Sequence, residues 1–313
     1  MMRGMTALRG RDLVGYGRSV PVVEWPGGAS LALSIVVNYE EGSERSYEMG
    51  DGTNEGLGEM PRTVAGDFRD LATESVYEYG SRAGAHRLFR LFEQFGIRCT
   101  VFAAAVALER NPPVASAIVD AGHEVCAHGW RWSEQWRLSV DEERRQIGLA
   151  VGSITQACGT RPVGWYSRWM PSEHTRELLA EEGGFIYDSD AYNDDLPYYV
   201  PVADKPFLVV PYTLTHNDAR FAYGQTGGVG AFFADCQQAV DYLRGEGGTA
   251  PRMMSLGLHA RWTGQASRSA GLRDFLRAVQ ARGDVWIATR REIAEWWWTH
   301  YPPEAVGVQH GYR

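Results

Sequence analysis

The chain has 313 residues, of which 44% are hydrophobic and 22% are charged, a composition typical of a soluble globular protein. Its net charge of −8 argues against binding to nucleic acid or to an anionic membrane, because both require a basic face. No segment approaches the roughly 20 apolar residues of a membrane-spanning helix. We therefore expect neither nucleic acid nor a membrane as a partner. The length suits an α/β barrel that forms a single domain.

Two features indicate the compartment. The first residues combine several arginines with glycine and threonine and lack the apolar segment of a secretory signal. The four cysteines are scattered, without C-x-x-C spacing, and each lies in an apolar strand or helix pattern. Such cysteines are typical of buried thiols and not of disulfides or zinc ligands. We expect a cytoplasmic protein.

Strand-like and helix-like patterns alternate along the chain. The strand patterns cover residues 31–37, 97–103, 124–127, 162–166, 185–189, 207–212, 253–258 and 285–288. Apolar residues at helical spacing occupy residues 88–95, 114–121, 147–157, 229–243 and 272–279, and a Trp-rich helix ends the series. Ser139 and Glu142 predict a capping box at the start of one of these helices. Repeated alternation of this kind predicts a mostly parallel sheet.

A barrel and an open doubly wound sheet both fit this alternation. Polar clusters follow at least four different strands, near Glu40, His128, Trp165 and His259. Functional residues at the carboxyl ends of many strands are typical of a barrel, so we predict one.

The whole chain, residues 1–313, is predicted to form one domain with two additions to the barrel. Residues 1–30 form an irregular N-terminal arm, and residues 43–82 form a long insertion after the first strand. An insertion beside the carboxyl end of the strands is often a lid or a subunit contact. A surface insertion without a functional role is an equally good interpretation of residues 43–82.

Glu40 and Glu41 follow the first strand without a gap. Consecutive strand residues point to opposite faces, so one of the two faces the barrel mouth. A carboxylate among tyrosine and tryptophan side chains would have a raised pKa and could take a proton from water near neutral pH. The alternative is a solvated acidic loop, because Glu44 and Glu48 follow closely.

His128 follows the third strand and raises the question of a metal. A catalytic zinc ion normally takes three protein ligands. Glu41 and His128 supply two candidates, whereas Trp132 cannot coordinate a metal. We therefore expect no metal cofactor, and zinc held by Glu41, His128 and an unidentified third ligand remains the alternative.

Three further motifs follow in order. Arg161-Pro162-Val163-Gly164-Trp165-Tyr166 occupies the fourth strand pattern, and Leu256-Gly257-Leu258-His259 ends a later one. Between them lie Asp188 and Asp190, either of which could tune a histidine.

Together these motifs resemble the polysaccharide deacetylase (NodB-type) superfamily over about residues 30 to 300. That family carries Thr-Phe-Asp-Asp-Gly where this chain has Asn38 to Gly42, and His-Ser/Thr-x-x-His where it has His128 to Trp132. In the family the first Asp is a general base, while the second Asp and both His bind zinc. Both Asp are Glu here, and Trp132 replaces the second His. The resemblance implies a distorted (β/α)7-type barrel.

The amino-acid sequences of several segments resemble the PuuE-type bacterial allantoinase branch of that superfamily. Asn-Tyr-Glu-Glu-Gly at 38–42, Asp-Asp-Leu-Pro-Tyr at 194–198 and Gly-Leu-His at 257–259 are examples. The branch implies opening of the hydantoin ring of allantoin without a metal, in a homo-oligomer such as a tetramer. Residues 167–171 depart from the glycine-containing loop expected there, which leaves substrate choice open.

The resemblance implies the following roles. Glu40 activates water, Glu41 and His128 hold the water or the carbonyl, and His259 protonates the departing nitrogen. The substrate contacts are assigned to Trp132, Arg161, Trp165, Tyr166 and Asp190, of which Arg161 and Asp190 set protonation states.

Two alternatives remain from sequence. One is a zinc-dependent deacetylase of N-acetylated sugars or a cyclic imide hydrolase. The other is a degenerate barrel that only binds a small polar ligand.

Overall fold

The central strand of the sheet, Leu31–Tyr39, is buried along its whole length. A nearly continuous apolar run of this kind is typical of a parallel strand that is covered on both faces. The structure, a computed structural model, describes residues 11–57, 59, 64–65, 68–225 and 227–309. The first ten residues of the predicted arm, and residues 58, 60–63 and 66–67 of the predicted insertion, lie outside the described residues.

Nine strands form one curled sheet. They are β1 (Leu31–Tyr39), β2 (Thr100–Ala103), β3 (Glu124–Ala127), β4 (Gly164–Trp165), β5 (Tyr187–Asp188), β6 (Tyr198–Val202), β7 (Lys205–Val209), β8 (Arg252–His259) and β9 (Val285–Ala288). The order is β6-β7-β5-β4-β3-β2-β1-β8, and β9 pairs with β1. Only β6 and β7 pair in antiparallel fashion among the described strands. The predicted distorted barrel is confirmed as a curled half-barrel.

The sheet is distorted where β1 meets three partners. β8 pairs with residues 31–38 of β1 and so occupies one edge. The other edge is shared, because β9 pairs with residues 31–34 and β2 pairs with residues 36–39. The sequence analysis found both of these strands and missed β6, which contains Pro201 and follows a loop rich in aspartate.

Ten helices cover the sheet in the described part of the chain. They are α1 (Leu71–Tyr79), α2 (Ala85–Gln94), α3 (Ala105–Arg110), α4 (Pro112–Asp120), α5 (Val140–Cys158), α6 (Thr175–Glu182), α7 (Val229–Glu246), α8 (Ala266–Gln280), α9 (Arg290–His300) and α10 (Pro303–Val306). A π-helical turn, Gly80–Gly84, joins α1 to α2. No helix among the described residues is long and apolar enough to cross a bilayer.

Local sequence sets the ends of these helices. The Ser139 side chain accepts a hydrogen bond from the backbone N–H of Glu142 at the start of α5, and left-handed Gly159 ends that helix. A complete capping box, formed by Thr289 and Glu292, begins α9.

The side chains of β1 alternate between two cores. Leu33 and Ile35 belong to the core that α2, α5 and α8 cover. Val36 belongs to a second core inside the curl, with Phe102 and with Trp297 of α9. Even-numbered residues of β1 therefore face the inside of the half-barrel, and this alternation decides which glutamate reaches the site.

The predicted insertion is partly helical, because it contains α1 and most of the π-helical turn. Gly84 lies so close to the end of β8 that a Cβ atom would stand 2.1 Å from the carbonyl oxygen of Ala260. Gly80 is equally confined, with 2.8 Å between such a Cβ atom and the backbone nitrogen of Arg261. The insertion is thus packed backbone to backbone against the segment after β8.

We predict that Gly84→Ala lowers the free energy of unfolding by about 1–3 kcal/mol, because the added methyl group forces backbone apart in a tightly packed region. The matched control is Gly148→Ala on the exposed face of α5, where a Cβ atom meets nothing within 4 Å. This control is expected to raise stability by about 0.5–1 kcal/mol. Urea denaturation measures both changes, and equal stability of the two variants would contradict the close contact.

Candidate active site

The carboxyl ends of four strands surround one cavity of about 350 Å³. Asn38 of β1 lies beside His259 of β8, and the ends of β1, β2 and β3 are in register. Glu40 and His128 directly follow β1 and β3, so the register brings both to the same level as His259. Of the predicted catalytic residues, these three line the cavity.

Glu40 is the centre of a buried polar network. Its Oε1 atom lies 3.3 Å from Nε2 of His128 and 3.6 Å from Nε2 of His259. Its Oε2 atom lies 2.7 Å from Nη1 of Arg261, a fully buried arginine. One carboxylate therefore faces two imidazoles and one guanidinium group.

The predicted rise in the pKa of Glu40 is wrong. Burial does raise the pKa of this carboxyl group, but the charges of Arg261 and His259 outweigh burial and hold it well below its usual range. Arg261 was not predicted as a site residue, because it lies in the turn that follows β8 and not in a strand. Its nearness in sequence to His259 was the only available signal.

His259 has the opposite shift. Burial lowers the pKa of its imidazole, whereas the carboxylates of Glu40 and Asp218 raise it, and the net direction is upward. Asp218 lies 2.6 Å from Nδ1 of His259 and also accepts its backbone N–H at 2.9 Å. The two shifts therefore favour the charged forms of both groups, the carboxylate of Glu40 and the imidazolium of His259. Sequence analysis missed Asp218, which lies in an unpredicted 3₁₀ turn, Asp218–Phe221.

The hydrogen bonds of His128 define its tautomer. Nδ1 lies 2.7 Å from the carbonyl oxygen of Tyr166, which can only accept, so Nδ1 carries the proton. Nε2 lies 3.1 Å from Nε1 of Trp132, and an indole N–H can only donate. The same Nε2 atom lies 3.3 Å from Oε1 of Glu40, so it contacts both the indole and the carboxylate. The aromatic ring of Tyr166 stacks on the imidazole with 5.0 Å between ring centroids.

Glu41 lies behind Glu40 and does not line the cavity, because it continues the odd-numbered face of β1. Its Oε2 atom accepts the backbone N–H of Glu40 at 2.9 Å, and its Oε1 atom accepts that of Arg261 at 3.2 Å. Burial raises the pKa of Glu41 despite the nearby guanidinium group. Only one of the two glutamates lines the cavity, as strand alternation predicted, and Glu41, which was expected to hold the water or the carbonyl, is not that one.

The other predicted substrate contacts divide into two groups. Trp132 and Tyr166 line the cavity. Trp165 is buried beneath it and donates its indole N–H to Ser167. Arg161 pairs with Glu182 outside the cavity.

Asp190 also lies outside the cavity. Its carboxylate accepts both the backbone N–H and the hydroxyl group of Ser167, at 2.7 and 2.8 Å. Burial and the charge of Asp188 raise the pKa of Asp190 to about 7. Asp188 itself pairs with Arg176 and not with a histidine.

The unusual segment 167–171 fixes the position of Trp132. The guanidinium carbon of Arg168 lies 3.7 Å from the centre of the Trp132 ring, and Nη1 donates to the Trp132 carbonyl oxygen at 2.7 Å. The Nη2 atom of Arg168 pairs with Glu55 of the insertion at 2.9 Å. Sequence analysis missed both residues, since their partners are far away along the chain.

The residues present do not fit a zinc ion at this place. Nε2 of His128 lies against the indole N–H of Trp132, Glu41 points away, and the charge of Arg261 stands beside Glu40. Among the described residues, no three His, Cys, Asp or Glu side chains are grouped so that they could hold a metal ion. The alternative ligand pair of Glu41 and His128 is therefore not assembled.

Comparison with known proteins supports the resemblance found in the sequence. A family model described as "Polysaccharide deacetylase" matches residues 72–181. A Schizosaccharomyces pombe protein named "Putative polysaccharide deacetylase" is 36% identical over 321 aligned residues, which cover 94% of this chain and 99% of the relative.

Two solved structures are similar over almost their full length. A probable polysaccharide deacetylase from Pseudomonas aeruginosa PAO1 is 45% identical with a TM-score of 0.89, covering 93% of this chain and 99% of the other. PuuE allantoinase is 44% identical with a TM-score of 0.89, and the alignment covers 93% of this chain and 98% of PuuE allantoinase.

We predict that Asp218→Asn lowers the pKa of His259, because a neutral amide no longer stabilises the protonated ring. NMR titration of the imidazole nitrogens measures this pKa directly and needs no substrate. Asp235→Asn is the matched control, since Asp235 is half exposed and pairs with Arg220 instead. An unchanged His259 pKa in Asp218→Asn would refute the assigned partnership.

Proposed function

This chain belongs to the polysaccharide deacetylase family and is a hydrolase of that kind, and we propose that it opens a cyclic amide, with allantoin as the substrate. The observation that carries the proposal is the pairing of Glu40 with His259. The two side chains lie 3.6 Å apart in one cavity, and their surroundings move their pKa values in opposite directions. A carboxylate base beside an imidazolium acid is the pair that amide hydrolysis requires.

The reaction follows from these protonation states. Glu40 takes a proton from a water molecule as the water oxygen bonds to the ring carbonyl carbon. The resulting tetrahedral intermediate expels the ring nitrogen, which takes a proton from Nε2 of His259. The carbonyl carbon becomes a carboxyl group and the nitrogen becomes part of a urea group. Asp218 holds His259 in the orientation needed for this transfer.

The form of the cavity supports a small ring over a polymer. Trp132, Tyr166 and Trp262 are buried aromatic side chains that line it. A volume of about 350 Å³ is at the lower end of small-molecule sites. The similarity to PuuE allantoinase over 93% of this chain points to allantoin within that class. The names of the other relatives make an N-acetylated sugar the second candidate.

Purified protein is expected to convert allantoin to allantoate at a rate that a chelator such as EDTA does not change, because the acid and the base are side chains. Succinimide and chito-oligosaccharides, assayed in parallel with and without EDTA, test the alternatives. Loss of all activity with EDTA, or turnover of chito-oligosaccharides alone, would contradict the proposal.

Glu40→Gln and His259→Ala are each expected to lower kcat for allantoin by about 10²-fold or more, the usual contribution of one acid or base group. Glu48→Gln and His300→Ala are matched controls, since both side chains are exposed and lie outside the cavity. Circular dichroism verifies folding of all four variants. Full activity in Glu40→Gln would show that another group activates the water.

A further inference from the structure

Arg261 is buried in the site with unused hydrogen-bonding capacity. Its guanidinium carbon lies 4.5 Å from the ring centre of Tyr77 and 4.2 Å from that of Trp262. Nη1 forms an ion pair with Glu40. Nevertheless Nε, Nη1 and Nη2 find no acceptor in hydrogen-bonding geometry among the described residues. A buried donor without an acceptor destabilises a folded protein, so this arrangement needs an explanation.

Arg290 shows how this fold treats an arginine that serves the structure alone. It too is fully buried, inside the half-barrel. Its Nε and Nη1 atoms donate to Ser189 and Ser255 at 2.8 Å, and Nη2 donates to the carbonyl oxygens of residues 210 and 211. Every nitrogen of this guanidinium group has an acceptor. Arg261 differs from Arg290 in this respect, which indicates that the N–H groups of Arg261 donate hydrogen bonds to a bound ligand.

The position of Arg261 in the cavity indicates which ligand atom would accept these hydrogen bonds. The side chain lines the same cavity as Glu40 and His259, and apart from its ion pair with Arg261, Oε2 of Glu40 has no hydrogen-bond partner among the described residues. A ligand in the cavity therefore contacts the N–H donors of Arg261 and, beside them, the carboxylate acceptor of Glu40. A carbonyl oxygen can accept from the guanidinium group, and a water molecule can donate to the carboxylate.

We propose that Arg261 is a catalytic residue that donates hydrogen bonds to the carbonyl oxygen of the substrate and stabilises the oxyanion formed there. The inference rests on the proposed amide hydrolysis. The guanidinium group supplies a fixed positive charge at the point where negative charge develops. The water oxygen bonds to the carbonyl carbon and the carbonyl electron pair moves to the carbonyl oxygen. That pair returns to the carbon as the bond to the ring nitrogen breaks, the nitrogen takes a proton from His259, and the new C–O bond is kept.

This role also explains how Glu40 acts as a base although its pKa is held low. As the oxyanion forms, it competes with Glu40 for the positive charge of Arg261. The carboxylate then loses part of the stabilisation that weakens it as a base, and its proton affinity rises during the step that requires it. The same guanidinium group thus stabilises the carboxylate of Glu40 before the water attacks and the oxyanion afterwards.

The first test is kinetic. Arg261→Met is expected to lower kcat for allantoin by about 10²- to 10³-fold, the usual loss for one oxyanion donor, with a smaller change in KM. Arg261→Lys keeps the charge without the planar fork, so an intermediate kcat is expected. Arg290→Lys is the matched control and is expected to lower stability while leaving kcat close to that of the wild type. Wild-type kcat in both Arg261 variants, or a rise in KM alone, would overturn the proposal.

The second test separates direct contact from an effect through Glu40. Ring opening turns the attacked carbonyl into the carboxylate of allantoate, so allantoate places an anion where the oxyanion was. Calorimetry measures its Kd in Glu40→Gln and in the double variant Glu40→Gln/Arg261→Met. Direct contact predicts a Kd about 10- to 100-fold higher in the double variant, as expected for loss of a charged hydrogen bond.

The outcomes of the second test are distinct. Equal Kd values in the two variants would overturn the proposal and leave Arg261 as a positioning residue for Glu40. Absence of allantoate binding to wild-type protein and to Glu40→Gln would instead count against allantoin as the substrate. Should Arg261→Met fail to fold, Glu40→Gln/Arg261→Lys replaces the double variant. An unchanged ratio of allantoate to allantoin affinity in that protein would then refute direct contact.

Discussion

Glu40 reaches the two histidines only because β1, β2, β3 and β8 run parallel with their ends in register. Successive residues of a strand face opposite sides of the sheet, so a slip of one residue in β1 would exchange Glu40 with Glu41. Glu41 would then take the place beside the two histidines, and Glu40 would take the place behind it. Two adjacent residues of the same type therefore differ in function through strand alternation alone.

Charges of alternating sign connect the residues of the site. Arg261, Glu40, His259 and Asp218 follow one another at 2.7, 3.6 and 2.6 Å, and all are buried. A single buried charge would be costly, whereas each of these is offset by a neighbour of opposite sign. The central carboxylate and imidazolium therefore keep their charged forms in a cavity walled by aromatic rings.

Local patterns in the sequence predicted the parts of the structure that depend on them. Hydrophobic periodicity located the strands other than β6, and residues directly after strands, such as His128, proved to line the cavity. Residues brought in from elsewhere could not be found in this way. Asp218 lies in a loop, and Arg168 meets Glu55, which is 113 residues away. The low pKa of Glu40 was missed for the same reason, because the guanidinium group of Arg261 comes from the turn after β8, far away along the chain.

The glycine contact between the π-helical turn and the segment after β8 makes one wall of the site rigid, because Arg261 of this segment lines the cavity. The atoms nearest to a Cβ at Gly84 are backbone atoms of Ala260 and Gly264, so no side chain there could rotate aside. Leu214 and Tyr223 also line the cavity and expose 59% and 51% of their surface, so this part of the rim is open to solvent. A substituent on the substrate ring that extends toward these two residues stays in water, and bulky derivatives are tolerated there.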